Sequence, residues 1–241
     1  MKYFFITLFL LTMPAGMCQN RPDSKAIEDA VSDPSSKFFY PPLFVRYMNG
    51  DPTLTEEDYH HLYYGFVYQD DYRPLDSPPT ARNELFSILE KGPLLGTEEL
   101  MLIINLGHEV MKREPFNLSN INFLTFAFGE LGDTLNERLN YNRFNRIIET
   151  IKWSGTGLAE DSPWHVINFD NANDIMTVME LDVDRSMIIS RTEVYMALRV
   201  PRDGIRGYYF DYSRIYSRPP TETQQRQGMG INLNGTRLNR R

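Results

Sequence analysis

The chain has 241 residues, of which 41% are hydrophobic and 24% charged, and it carries a net charge of −7 at neutral pH. That length supports one sizeable domain or two small ones, and the excess of acid argues against nucleic-acid binding. With one cysteine, Cys18, disulfides and cysteine-based metal sites are excluded.

Lys2 and the apolar run from Tyr3 to Met13, broken by Pro14, Ala15 and Gly16, have the form of a secretory signal peptide spanning residues 1–18. The run is too short to cross a bilayer, which takes about 20 apolar residues. Two continuations stay open. Cleavage after Cys18 gives a periplasmic or secreted protein, and acylation of Cys18 gives a lipoprotein, although Met17 is larger than the residue a lipobox wants there. Neither leaves a free thiol, and no later run reaches membrane-spanning length.

Residues 19–153 read as mainly helical. A short helix is expected in the polar lead-in from Arg21, followed by an extended, proline-bounded segment ending at Pro42. Thr55 and Asp58 have capping-box spacing for the next helix, with Gly65 near its end. Three prolines between Arg73 and Thr80 mark a loop. Helical patterns then cover Ala81–Lys91, stopped by Gly92–Pro93, and Thr97–Arg113, Ser119–Leu131 and Leu135–Trp153. Pro115, Leu118, Ile121, Leu124, Phe128 and Gly132 resemble the junction of a tetratricopeptide repeat. Glu137, Phe144 and Glu149 depart from that pattern, so the likeness is to a local helical hairpin.

Ser154–Gly157 is a turn cluster, and the texture changes after it. Residues 154–213 read as β-rich, with strand-forming segments PWHVINF, DIMTVMEL, MIISRTEVYMAL and GYYFDYSRIY. Turns are expected near Asn171, at Asp182–Asp184 and at Arg202–Gly204. The expected class is α+β: a helical half with a tetratricopeptide-like hairpin, packed with a small antiparallel sheet. From Arg214 to Arg241 the chain holds six arginines against one acid, Glu222, and few large apolar residues. Residues 214–241 therefore read as a disordered basic tail, or as a basic arm for an acidic partner.

Three places carry candidate chemistry. Residues 182–193 fit the register of a calcium-binding EF-hand loop, with Asp182, Asp184, Ser186, Ser190 and Glu193 at ligand positions. Met187 stands where that loop needs glycine for its sharp turn, and a plain β-turn leading into a strand is the competing reading. His61 shares a helix face with Glu57 and Asp58, but it is set among aromatics, and a packing histidine is the competing reading. His165, beside Asp161, Asp170 and Asp174, offers an Asp–His pair for acid–base work, without a G-x-S-x-G motif. No phosphate-cradling loop or dinucleotide fingerprint occurs.

The segments YPPLFVRYMNGDPTLTEEDYHHLYYGFVYQDDYRPL, MKREPFNLSNINFLTFAFGELGD and IRGYYFDYSR resemble a family of exported Bacteroidota proteins, domain-of-unknown-function family 4919. The likeness spans roughly residues 25 to 213. It implies export and a shared fold, and it brings no catalytic residue.

The expected function is an exported envelope or secreted module that binds a protein or glycan partner without catalysis. Tyr59, Tyr63, Tyr64, Tyr68 and Tyr72, with Phe66, offer a candidate surface, against core packing for most of these rings. The alternatives are a hydrolase using His61 or His165 and a calcium-stabilised module, with calcium the one cofactor in view.

Overall fold

The computed structural model describes residues 21–90 and 95–217. The expected signal peptide with Cys18, the Gly92–Pro93 stop and residues 218–241 of the expected tail lie outside them.

Helix α1 (Ser24–Ser32) is started by the Asp23 carboxylate, which accepts from the Lys25 and Ala26 amides, and it buries Ile27 and Val31. Helix α2 (Tyr40–Met48) carries Pro41 and Pro42 in its first turn. The sequence reading made these prolines the end of an extended segment. They begin a helix instead, because a first-turn proline lacks only an N–H that would be unpaired there. Helix α3 (Glu56–Gly65) opens with the reciprocal Thr55–Asp58 capping box. It ends at Gly65, where a Cβ would come within 2.6 Å of Val31 on α1. A 3-10 turn at Phe66–Tyr68 follows.

Helices α4 (Thr80–Leu89), α5 (Thr97–Arg113), α6 (Leu118–Glu130) and α7 (Thr134–Trp153) each pack on the next. At Gly107 the α5 backbone meets α6 closely, and its carbonyl accepts from Asn120 Nδ2 at 3.0 Å. Glu137 on α7 lies over Gly129, so the small residue of this helix pair sits on α6. Arg143 of α7 is buried and donates to the Tyr47 and Met48 carbonyls, closing the C-terminal end of α2 where the helix dipole favours a cation.

After the Ser154–Gly157 turn come β1 (Trp164–His165), α8 (Phe169–Val178), β2 (Val183–Ile188), β3 (Glu193–Arg202) and β4 (Ile205–Asp211), then a 3-10 turn at Ser213–Tyr216. Gly157 has φ +69°, and its Trp164 neighbour stacks on Tyr208. The strand order is β1-β4-β3-β2. The fold is α+β, as expected, but the sheet is mixed: β1 runs parallel to β4 and the other pairs are antiparallel.

Two strand assignments need correcting. Most of DIMTVMEL lies in α8, where Asn168 caps the first turn and Ala172, Ile175 and Met176 fall on one buried face. MIISRTEVYMAL is two strands, with the turn at residues 189–192; Asp182–Asp184 leads into β2 rather than reversing the chain. The expected turn at Arg202–Gly204 is present, with Asp203 at φ 53° and Gly204 at φ 81°, the left-handed pair of a two-residue hairpin.

One core runs through both textures, from Ile27 on α1 to Phe210 on β4 and Ile215 beyond it. A second, smaller cluster around Leu85, Ile103 and Ala127 joins α4, α5 and α6. Arg214 and Ile215, counted in the sequence with the basic tail, are buried parts of this fold.

Candidate functional site

The tyrosine row fills the interior. Tyr59, Tyr63, Tyr64, Phe66 and Tyr72 are buried, and Tyr68 is half-buried with its hydroxyl on the Ser24 carbonyl at 2.7 Å. Buried phenols need acceptors, and these find them at long range. Tyr63 donates to Asn171 Oδ1, Tyr64 to the His165 carbonyl and Tyr72 to the Ile167 carbonyl. The row therefore ties α3 to the segment around β1, and most of its rings are core.

His61 stacks on Phe38 with ring centroids 3.6 Å apart, and its Nδ1 is bonded to the Glu57 carbonyl at 2.8 Å. Burial lowers its pKa below the usual histidine value. His165 is 2% exposed. The carboxylate beside it is Asp211, at 3.4 Å from Nδ1, rather than Asp161, Asp170 or Asp174. The same nitrogen lies 3.2 Å from the Arg214 guanidinium, so the ring has a partner in either tautomer. Burial works to raise the Asp211 carboxyl, but hydrogen bonds from His165 and Ser213 outweigh it and hold it down at about 2. Arg214 continues outward to the Pro22 carbonyl at 2.7 Å. This is an internal clasp that leaves the histidine almost no exposed surface.

The hairpin separates the calcium candidates. Asp182 and Asp184 stand at one end of β2 on Arg199, at 2.7 and 3.9 Å, while Ser190 and Glu193 stand together at the turn, at 3.4 Å. Ser186 lies on β2 between these ends. At about 3.3 Å per residue the two ends are roughly 20 Å apart, so one ion does not reach both. Among the described residues no group of three or more His, Cys, Asp or Glu is placed to hold a metal.

A concavity lies elsewhere: an open cleft of about 230 Å³ between the 73–78 loop, α4, the end of α5 and the start of α8. Three guanidiniums, Arg73, Arg82 and Arg113, and three carboxylates, Asp76, Glu114 and Asp170, line it. Arg82 is clamped between Glu114, at 3.2 Å, and Asp170, while Arg113 faces Asp76 at 3.8 Å. Glu114 also accepts from Asn117 Nδ2, which fixes it to the cap of α6. Phe66 and Phe116 contribute apolar wall, and Phe169 stands at the mouth, 38% exposed and braced by Tyr212 and Tyr216. Sequence reasoning singled out Phe66, Tyr72, Asp170 and the Pro-rich loop of this cleft, but not its ion pairs. Its ion pairs join residues 32 to 88 positions apart, and no local spacing encodes them.

A family profile described as a domain of unknown function, DUF4919, matches residues 25–219. The chain belongs to this family. The match takes in every strand, every helix (α1 from its second residue) and the whole cleft, with His165, Asp211 and Arg214 of the clasp. No curated protein and no solved structure matches the chain. Among the described residues, no helix is long and apolar enough to cross a membrane.

Proposed function

We propose that this member of the DUF4919 family is an exported, non-enzymatic binding module of the cell envelope, held there as a periplasmic or secreted protein or by acylation at Cys18. The cleft carries the reading. Its polar side chains are rigidly held and face an open concavity, and no histidine lines it. Such walls bind through fixed donors and acceptors. The three lining carboxylates are held in ion pairs with Arg82 and Arg113, whereas a general acid or base must be free to exchange a proton with substrate. Export rests on the Lys2 and Tyr3–Met13 pattern.

The test is capture of partners from the native envelope with two versions of the mature chain, residues 19–241 and residues 19–217. A specific partner held by both is the expected result. Loss with the shorter chain would move binding to the basic segment, and hydrolysis of an envelope substrate would replace this reading with the enzymatic one.

A further inference from the structure

We infer that the cleft takes one ring of a neutral glycan. This rests on the binding reading above and names its ligand class.

Charge balance comes first. The three lining guanidiniums and three lining carboxylates cancel, so the cleft offers no net attraction to an anion or a cation. For an anionic ligand to take Arg82 it would have to displace Glu114 or Asp170, and Arg82 and Glu114 are each only 18% exposed. Stripping a largely buried carboxylate of its partner is costly. A hydroxyl group displaces neither. It adds to the N–H groups and lone pairs that the ion pairs leave over, because a guanidinium has five N–H donors and a carboxylate about four acceptor sites. Vicinal hydroxyls meeting alternating donors and acceptors suit a sugar.

The apolar part agrees. Phe169 presents a ring at the mouth, and Tyr212 and Tyr216 hold it at centroid distances of 5.5 and 5.9 Å. A fixed, exposed ring beside a polar floor matches the C–H face of a pyranose with its hydroxyl edge turned inward. The volume of about 230 Å³ is below the roughly 300–1,000 Å³ of pockets for drug-sized ligands, and so fits a single ring better than a peptide segment.

The experiment measures binding of the full mature chain to immobilised neutral oligosaccharides, with uronic-acid or sulfated oligosaccharides and short peptides as the other arms. Binding is expected in the neutral arm, with affinity unchanged as salt rises to about 0.5 M, where ionic contacts are screened. Phe169→Ala is expected to weaken it by about tenfold or more, and Arg73→Gln by several-fold, both with an unaltered circular-dichroism spectrum. Preference for the anionic or peptide arms, no binding in any arm, or full affinity in a folded Phe169→Ala protein would overturn the inference. Envelope proteins captured by the mature chain without glycan binding would overturn it and leave the binding reading standing.

Discussion

His60 is 5% exposed, sits between Tyr64 and Trp153, and its Nδ1 has no hydrogen-bond partner among the described residues. Burial, then the charges of His61 and Arg214, push its pKa from 6.5 to about 4. The folded protein keeps this ring neutral while the unfolded chain protonates it near 6.5. The stability it contributes is therefore complete above about 6.5 and is lost as pH falls toward 4. His60→Phe should shrink that acid-side loss by roughly 1–3 kcal/mol, read from urea titrations across the window; an unchanged pH slope would contradict the assignment. Asp174 acts in the opposite sense. Burial raises its carboxyl to about 6, with Asp170 adding to the rise, while Ser119 donates to it at 2.7 Å. The native state holds this proton longer than the unfolded chain, so stability falls as pH rises from about 4 to about 6. Asp174→Asn keeps an acceptor for Ser119 and should raise stability at neutral pH by about 1–2 kcal/mol, with the gain disappearing below pH ~4.

The helix contacts depend on close approach at single positions. At Gly107 an added Cβ would meet Leu124 Cδ2 at 2.7 Å with Asn120 Oδ1 at 3.3 Å, inside a hydrogen-bonded crossing of α5 and α6. Gly107→Ala should therefore destabilise by about 1–3 kcal/mol, despite alanine's better helix propensity, as a lower denaturation midpoint at unchanged slope. A gain in stability would show that Leu124 yields without cost. Elements were legible in the sequence where the signal was local. The Thr55–Asp58 capping box, the amphipathic α5 and the Asp203–Gly204 turn all depend on neighbours a few residues away. DIMTVMEL misled because its β-branched residues favour a strand, while the Asn168 cap and the 3.6-residue spacing of Ala172, Ile175 and Met176 decide for a helix. The parallel β1–β4 pair joins Trp164 to Phe210 and His165 to Asp211, and two residues of strand announce no partner at that separation.

At the scale of the molecule, the helical and β-rich textures share one core, and the chain end helps to close it. Arg214 stacks over Tyr64, reaches His165 and donates to the Pro22 carbonyl, so the last described turn is tied to the start of α1. Composition placed Arg214 with the tail, because an arginine count does not distinguish a solvated charge from one satisfied inside. A chain ending at Ser217 should melt as the full mature protein does. One ending at Ser213 loses both Arg214 and Ile215, leaving Tyr64 and His165 without their cation and opening a cavity. It should lose about 3 kcal/mol or more, or fail to fold; equal melting of the two would contradict the closure.

The cleft was the least legible feature, since it is assembled from the 73–78 loop, the ends of α4 and α5 and the start of α8, each unremarkable alone. It is also where binding can be tested most directly. Hydrogen–deuterium exchange of the mature chain, with and without saturating captured partner or glycan, reads the location of binding at peptide level. Protection confined to residues 73–78, 113–117 and 167–170 is the expected result. Protection at the 182–202 hairpin instead, or none in the folded body, would contradict a binding site in the cleft.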